Sequence, residues 1–232
     1  MKTEAHLFTP PLDTRLFVIL GPFGSGKTEI SLNLALALHA QGRQTALCDL
    51  DIVNPYFRSR EKDDMLEEEG IRLIAPEGAL RHADLPSIPP ALKQVVYAGD
   101  VAGVLDVGGD RSGARVLGGY ALDITRQNPA VWYVFNQSRY DNADLQASLE
   151  SFHQIQAQAG LTINGILHNT HLIADTTAET LMEGVQAARR FAQETKLPLI
   201  CHCARQDLVP ELADLSPLFP LQLFMNRPWE DG

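Results

Sequence analysis

Gly21-Pro22-Phe23-Gly24-Ser25-Gly26-Lys27-Thr28 is the most informative segment of this 232-residue chain. It fits the pattern G-x-x-x-x-G-K-T, which is the phosphate-binding P-loop. An apolar run of strand composition, residues 15–20, precedes the segment, and a helix-forming run, residues 29–38, follows it. A position between a strand and a helix is the context in which this loop binds phosphate. The sequence therefore predicts a site for the phosphates of a nucleotide.

The residues of the loop have separate expected roles. Gly24 and Gly26 leave room for the backbone to fold around an anion. Lys27, expected in solvent when no nucleotide is bound, would neutralise the β- and γ-phosphates, and Thr28 would offer its hydroxyl to Mg²⁺. N–H groups of the loop and of the first helical turn would point at phosphate oxygens. The predicted nucleotide contacts here are Gly21, Gly24, Ser25, Gly26, Lys27, Thr28 and Glu29.

Composition limits the possible classes of protein. A hydrophobic content of 45% is enough for a core, and 232 residues fit one α/β domain. The net charge of −10 disfavours nucleic acid and anionic membranes as partners. No apolar run is long enough for a transmembrane helix, and the N-terminus lacks a signal-peptide core. We therefore expect a cytoplasmic protein with no nucleic-acid partner and no transmembrane segment.

Strand and helix patterns alternate along the rest of the chain. Strands are predicted at 44–48, 71–74, 101–105, 131–135, 163–168 and 196–200. Because helical patterns separate most of them, we expect right-handed βαβ units and a mostly parallel sheet. A capping box at Thr176 and Glu179 predicts the start of the last long helix. Residues 1–14 are expected to be an irregular leader, and residues 1–232 to form a single nucleotide-binding domain.

Acidic residues follow two of the predicted strands. Asp49 and Asp51 are two positions apart in an extended segment, so they share a face. Asp106 ends another strand and is followed by Gly108 and Gly109, which would let the backbone approach the γ-phosphate. We expect Asp106 on the Mg²⁺ side of the site, and Asp49 and Asp51 to position metal-bound or attacking water. The predicted metal-site residues are Thr28, Asp49 and Asp106.

Three segments together resemble the SIMIBI class of P-loop NTPases. They are the P-loop, Cys48-Asp49-Leu50-Asp51 and Leu105-Asp106-Val107-Gly108-Gly109. Within this class the chain is similar, over residues 15–203, to the MinD/ParA/CobQ-like ATPases, which include dethiobiotin synthetase. The resemblance implies an α/β P-loop NTPase fold with a mostly parallel sheet of about seven strands flanked by helices on both faces. It also implies ATP and Mg²⁺ as ligands and a nucleotide-dependent homodimer.

The resemblance assigns roles to individual residues. Lys27 and Asp51 are the implied catalytic pair, because Asp51 resembles the acid that orients the attacking water in the first switch segment. Asp106 resembles the acid on the Mg²⁺ side of the second switch segment. Asn169 resembles the asparagine that reads adenine after a late strand, although a turn asparagine is the alternative. Arg205 lies in residues 204–208, a segment that resembles the loop closing over the base.

The P-loop departs from the family pattern at Pro22. MinD/ParA proteins carry a second lysine near the start of the loop, and it normally reaches across the dimer to the phosphates of the partner subunit. The absence of that lysine puts the sandwich-dimer mechanism in question. Arginines in the expected switch segments offer an alternative source of charge, and they are Arg58, Arg60, Arg111 and Arg115.

Cys201-His202-Cys203 is a second motif that needs an interpretation. A C-x-C pair with a histidine offers ligands for zinc or an iron–sulfur cluster. Four ligands are usual for such sites, and Cys48, the third cysteine, lies at the end of a distant strand. The sequence favours buried structural cysteines.

Two functions remain open from the sequence. The first is an ATPase that acts as a switch, or as an assembly or activation factor, for a partner protein. The second is a small-molecule phosphotransferase or a dethiobiotin-synthetase-like enzyme. The glycine-rich run over residues 108–119 favours the switch. ATP is expected rather than GTP, because residues 136–139 and 169–172 both lack the final acid of the guanine signature N-K-x-D.

Overall fold

The computed structural model describes most of the chain. The described residues are 6–50, 66–74, 90–97, 99–109, 117–139, 144–171 and 175–224. Its strands are β1 (Leu16–Leu20), β2 (Gln44–Asp49), β3 (Ile71–Ile74), β4 (Val101–Asp106), β5 (Ala130–Phe135), β6 (Gly165–His168), β7 (Leu199–Arg205) and β8 (Leu218–Leu221). Its helices are α1 (Lys27–Ala40), α2 (Pro90–Tyr97), α3 (Ala121–Thr125), α4 (Leu145–Ala159) and α5 (Ala178–Thr195), and a 3₁₀ helix spans Gln206–Glu211.

The strands form one sheet in the order β3-β2-β4-β1-β5-β6-β7-β8. Every neighbouring pair is parallel, which confirms the predicted sheet type. The described residues contain eight strands where about seven were expected. The additional strand is β8, a four-residue edge strand with the sequence LFPL. Its proline cannot donate to a ladder, so the segment lacks a clear strand signal.

The last predicted strand is displaced in the structure. Residues 196–200 were expected to be extended, but α5 continues to Thr195 and Lys196 caps it with a φ of 57°. Strand β7 begins at Leu199 and runs to Arg205. The motif Cys201-His202-Cys203 therefore lies inside a strand and pairs with β6 and β8.

Alternating side chains of β1 face two separate cores. Leu16, Val18 and Leu20 pack in the larger cluster, to which α2, α4 and α5 contribute. Phe17 and Ile19 pack in the other cluster, which α1 covers. This period of two is the expected pattern for a strand buried on both faces. Helices lie on both faces of the sheet, as predicted.

Helix ends follow local capping signals. Gly160 ends α4 in the left-handed conformation, and Gly42 with a φ of 79° follows the end of α1. The expected capping box at Thr176 is wrong by one position. Thr177 is the N-cap of α5, and its hydroxyl accepts from the backbone N–H of Thr180.

No helix in the described part of the chain is long and apolar enough to span a membrane.

Part of the expected irregular leader joins the sheet. Leu7 forms a parallel bridge with Leu218 of β8. The ring of Phe8 packs edge-on against Trp132 and Phe219, with centroid distances of 5.8 Å and 5.5 Å. Aromatic packing against the sheet thus holds residues that have no periodic sequence pattern.

Phe191 is a sensitive test of the larger core. Its ring is fully buried and lies 4.9–5.7 Å from the ring centroids of Tyr133, Phe135 and Phe152. We expect Phe191→Ala to lower the free energy of unfolding by about 3–5 kcal/mol, because it removes the ring and leaves a cavity. Met182 lies on the same helix but is 48% exposed. Met182→Ala should therefore change the free energy of unfolding by about 0.5 kcal/mol or less. Urea denaturation of both variants measures the difference, and equal losses would contradict this packing.

Candidate functional site

The P-loop leaves the buried end of β1 and closes at the first residue of α1. Gly21, Gly24 and Gly26 have φ values of 154°, 70° and 94°, which side-chain-bearing residues adopt only with strain. Gly26 is the N-cap of α1, and no side chain caps this helix end. The first N–H groups of the helix therefore border the loop as they do in anion sites.

Lys27 lies inside the loop and is buried. Only 7% of the residue is exposed, and its Nζ donates a hydrogen bond of 2.9 Å to the carbonyl of Pro22. The same carbonyl accepts from the backbone nitrogen of Ser25 at 3.2 Å. The expectation of a solvated lysine is therefore wrong, because the loop folds back on its own cation.

Asp49 and Asp106 lie side by side under the start of α1. They are Cα partners in the ladder between β2 and β4, and they are 1% and 2% exposed. Leu47 and Val104, two positions before these acids on the same strands, pack in the cluster that α1 covers. Because side chains alternate along a strand, both carboxylates lie on the face of the sheet that α1 covers. Ser31 on α1 donates to Oδ1 of Asp106 at 3.2 Å. The structure thus brings two predicted metal-site acids together.

This donor set suits a hard cation. Two buried carboxylates repel each other unless a cation or proton intervenes, and the half-buried Thr28 belongs to the first turn of the helix above them. Among the described residues, no three His, Cys, Asp or Glu side chains group as metal ligands. Mg²⁺ is commonly held by one or two carboxylates with phosphate oxygens and water, so these residues fit it.

The segment after β4 packs closely against the P-loop. A Cβ atom on Gly109 would lie 2.5 Å from the backbone nitrogen of Phe23 and 2.7 Å from Nζ of Lys27. Only a residue without a side chain fits this approach. The glycine expected to approach the γ-phosphate therefore lies close to the backbone of Phe23 and the amine of Lys27.

Asn169 also contacts the P-loop. It follows β6, is 4% exposed, and its Nδ2 donates to the carbonyl of Ser25 at 2.8 Å. Its backbone nitrogen donates to the carbonyl of Phe135 at 2.8 Å. The side chain predicted to read adenine is thus bonded to the loop in this structure, directly against Gly26.

Two further residues at the loop were not predicted. Nε of Arg139 donates to the carbonyl of Gly24 at 2.6 Å, and His171 lies beside Gly26. Burial lowers the pKa of His171 to about 4, with the charge of Arg139 acting in the same direction. Both residues lie a few positions after predicted strands, and a basic residue at that place was the available signal.

The side chains of Glu29 and Arg205 have contacts away from the loop. Oε1 of Glu29 accepts from the backbone nitrogen of Phe224 at 2.5 Å, so its side chain holds the segment after β8. Arg205 forms a two-pronged pair with Asp207, through Nε at 2.6 Å and Nη2 at 2.7 Å. This pair raises the pKa of Arg205 and lowers that of Asp207.

Five predicted site residues lie outside the described part of the chain. They are Asp51, Arg58, Arg60, Arg111 and Arg115. Their roles stay predictions from the sequence.

Cys201 and Cys203 are buried in the cluster that α1 covers, and Cys48 is buried in the other. Burial raises the pKa of the Cys201 thiol. The cysteines therefore occupy core positions, in keeping with the structural role favoured by the sequence. His202, between them, faces His168 with 2.8 Å between their Nδ1 atoms. Burial lowers the pKa of these histidines to about 4 and about 3, which keeps both rings neutral.

A family comparison accounts for this arrangement. The family model described as the CobQ/CobB/MinD/ParA nucleotide-binding domain matches residues 18–203. The chain belongs to this family. It is a nucleotide-binding P-loop NTPase, and the match confirms the resemblance inferred from the P-loop and the acidic strand ends. No curated protein matches the sequence.

Solved structures share the fold. The signal recognition particle 54 kDa protein from Aeropyrum pernix K1, in complex with GDP, has a TM-score of 0.53 and 21% identity over 84% of this chain. The receptor FtsY from Elizabethkingia anophelis has a TM-score of 0.52 and 19% identity over 89%. Chloroplast FtsY from Physcomitrella patens has a TM-score of 0.51 and 15% identity over 86%. The chain covers 42%, 66% and 60% of those proteins, and identities this low support the fold alone.

Gly109→Ala tests the contact between the two loops. The added methyl group would overlap the backbone of Phe23 and the amine of Lys27, so one loop has to move. We expect nucleoside-triphosphate affinity to fall by about tenfold or more, the effect of about 1.4 kcal/mol. A Cβ on Gly119 meets nothing within 4 Å, so Gly119→Ala is the matched control and should bind normally. Isothermal titration calorimetry measures both, and equal affinities would show that this contact is unimportant for binding.

Proposed function

We propose that this protein is a Mg-ATP-dependent ATPase that acts as a switch, or as an assembly or activation factor, for a partner protein. The contact between Gly109 and the P-loop carries the proposal. Gly109 lies against Lys27, the cation expected at the β- and γ-phosphates. A γ-phosphate entering the loop would change the contact between Gly109 and Lys27. Loss of the γ-phosphate would restore that contact. The segment after β4 would therefore report which nucleotide is bound.

Thr28, Asp49 and Asp106 are the proposed Mg²⁺-site residues. Bound Mg²⁺ would neutralise charge on the phosphates. Asp49 and Asp106 are buried and would supply carboxylate oxygens to it, directly or through water. Ser31 supports the orientation of the Asp106 carboxylate through its hydroxyl. Gly21, Gly24, Ser25, Gly26, Lys27, Thr28 and the backbone of Glu29 are the proposed phosphate contacts.

The proposal assigns ATP rather than GTP to the site. The segments after β5 and β6 lack the acid that reads the guanine N–H groups, and the amide of Asn169 offers both a donor and an acceptor to an adenine edge. To reach the base, this amide would have to exchange its bond to the Ser25 carbonyl for a contact to the nucleotide. We propose that Arg205, which pairs with Asp207, lies in the loop that closes over the base.

A nucleotide-dependent homodimer is part of the proposal. Phe23 gives the P-loop an apolar tip, because it is 64% exposed. Pro22 stands where relatives carry a lysine, so any phosphate contact across the dimer would come from Arg58, Arg60, Arg111 or Arg115. Phosphate transfer to a small acceptor is the competing function, and its signature is acceptor-dependent turnover.

Lys27→Ala tests the nucleotide assignment. We expect Mg-ATP to bind wild type more tightly than Mg-GTP, and Lys27→Ala to lose about 2–4 kcal/mol of binding free energy, because a charge on two phosphates is removed. The loss of its bond to Pro22 should also lower stability by about 1 kcal/mol. Lys93→Ala on the exposed face of α2 is the control. Calorimetry with tighter GTP binding would overturn the ATP assignment, and normal ATP affinity in Lys27→Ala would overturn the site.

Asp51→Ala tests the hydrolytic role. An acid that orients attacking water acts in the transition state, so Mg-ATP affinity should stay normal or rise while hydrolysis falls by roughly 10²-fold or more. Asp106→Ala should instead weaken binding, because it damages the Mg²⁺ site. Single-turnover hydrolysis of bound ATP, without an added acceptor, separates the two effects. An unchanged rate constant in Asp51→Ala would remove this residue from the mechanism, and hydrolysis only with an acceptor would favour the phosphotransferase.

A further inference from the structure

Arg139 holds the P-loop from outside the phosphate cradle. Its Nε donates to the carbonyl of Gly24 at 2.6 Å, and this bond spans 115 positions of the sequence. A Cβ on Gly24 would lie 2.6 Å from Cζ and 2.7 Å from Nη2, so the guanidinium is pressed against the glycine. We propose that Arg139 is a positioning residue that keeps the P-loop in its phosphate-binding form. The inference rests on the proposed nucleotide function.

Peptide geometry explains how Arg139 acts at a distance. In a trans peptide the C=O and the following N–H point in opposite directions. A bond to the carbonyl of Gly24 therefore fixes the N–H of Ser25, which donates to the carbonyl of Pro22 at 3.2 Å. That carbonyl also accepts from Nζ of Lys27 at 2.9 Å. One chain of hydrogen bonds thus links Arg139 to the P-loop lysine.

The next peptide is held in the same way. Asn169 binds the carbonyl of Ser25, so the N–H of Gly26 points away from Asn169 and towards the inside of the loop. Two consecutive peptides are therefore clamped by side chains from the loops after β5 and β6. Of the two clamps only Arg139 is charged. A charge-assisted hydrogen bond is stronger than a neutral one and polarises the peptide it binds, so Arg139 makes the N–H of Ser25 a better donor to the carbonyl of Pro22.

The loop that carries Arg139 is itself ordered. Oδ1 of Asn136 accepts from the backbone nitrogen of Ser138 at 3.0 Å, and the carbonyl of Asn136 accepts from the backbone nitrogen of Arg139 at 3.2 Å. The same Oδ1 accepts from the nitrogen of His171 at 3.4 Å. These bonds form a turn that aims the arginine at the P-loop. Little ordering of Arg139 is then required when nucleotide binds.

The inference is tested with Arg139→Ala, Arg139→Gln and Arg139→Lys. Arg139→Ala and Arg139→Gln should weaken Mg-ATP binding by about tenfold or more, the scale of one charge-assisted hydrogen bond. Arg139→Lys should recover part of the loss, because it restores the charge without the planar fork. Since the clamp acts on the bound ground state, KM for ATP should rise while kcat stays within about twofold. Raising the salt concentration should reduce the difference in Mg-ATP affinity between wild type and Arg139→Gln.

Arg126→Ala is the matched control, because this arginine is exposed on α3's C-terminal side and pairs only with the neighbouring Asp123 among the described residues. Thermal unfolding without nucleotide is measured in parallel. Normal ATP affinity in Arg139→Ala and Arg139→Gln would overturn the inference. A loss of ATP affinity together with a melting temperature well below that of wild type, which Arg139→Lys does not restore, would also overturn the inference. Such a result would indicate a general structural role for Arg139. Absence of nucleotide binding in wild type would instead overturn the proposed function.

Discussion

The end of β1 is the constraint on which the nucleotide site depends. All five residues of β1 are buried, and the strand lies between β4 and β5. A chain leaving such a strand has to turn among the ends of its neighbours. The P-loop therefore meets Gly109 after β4, Arg139 after β5 and Asn169 after β6. The loop that binds phosphate takes its shape from three segments as well as from its own glycines.

Buried polar groups gather at this edge of the sheet. Lys27, Asp49, Asp106, Asn136 and Asn169 are all at most 7% exposed. Burying a charge costs free energy that partners have to offset, and such concentrations of buried polar groups are typical of functional sites. Lys27 donates to the carbonyl of Pro22, and Asp106 accepts from Ser31 on α1.

Helix α1 connects the site to distant parts of the chain. Asn33 exchanges hydrogen bonds of 2.9 Å and 2.8 Å with the backbone of Gln222, and Glu29 accepts from Phe224. Phe8 and Phe224 pack against the same core cluster as α1. The helix that presents Lys27 is thus fixed by residues near both ends of the described chain. Its position, and with it the lysine, depends on long-range packing rather than on helix propensity.

The sequence by itself determined the features whose signals span a few residues. The P-loop between strand and helix, the acids at the ends of β2 and β4, and the parallel α/β fold all followed from motif spacing and periodicity. Tertiary structure alone decided the burial of Lys27, strand β8 and the clamps from Arg139 and Asn169. The clamps join residues 115 and 144 positions apart, and they form because β5 lies next to β1 and β6 lies next to β5 in the sheet order. Strand order is a property of the whole packed chain, which local patterns do not encode.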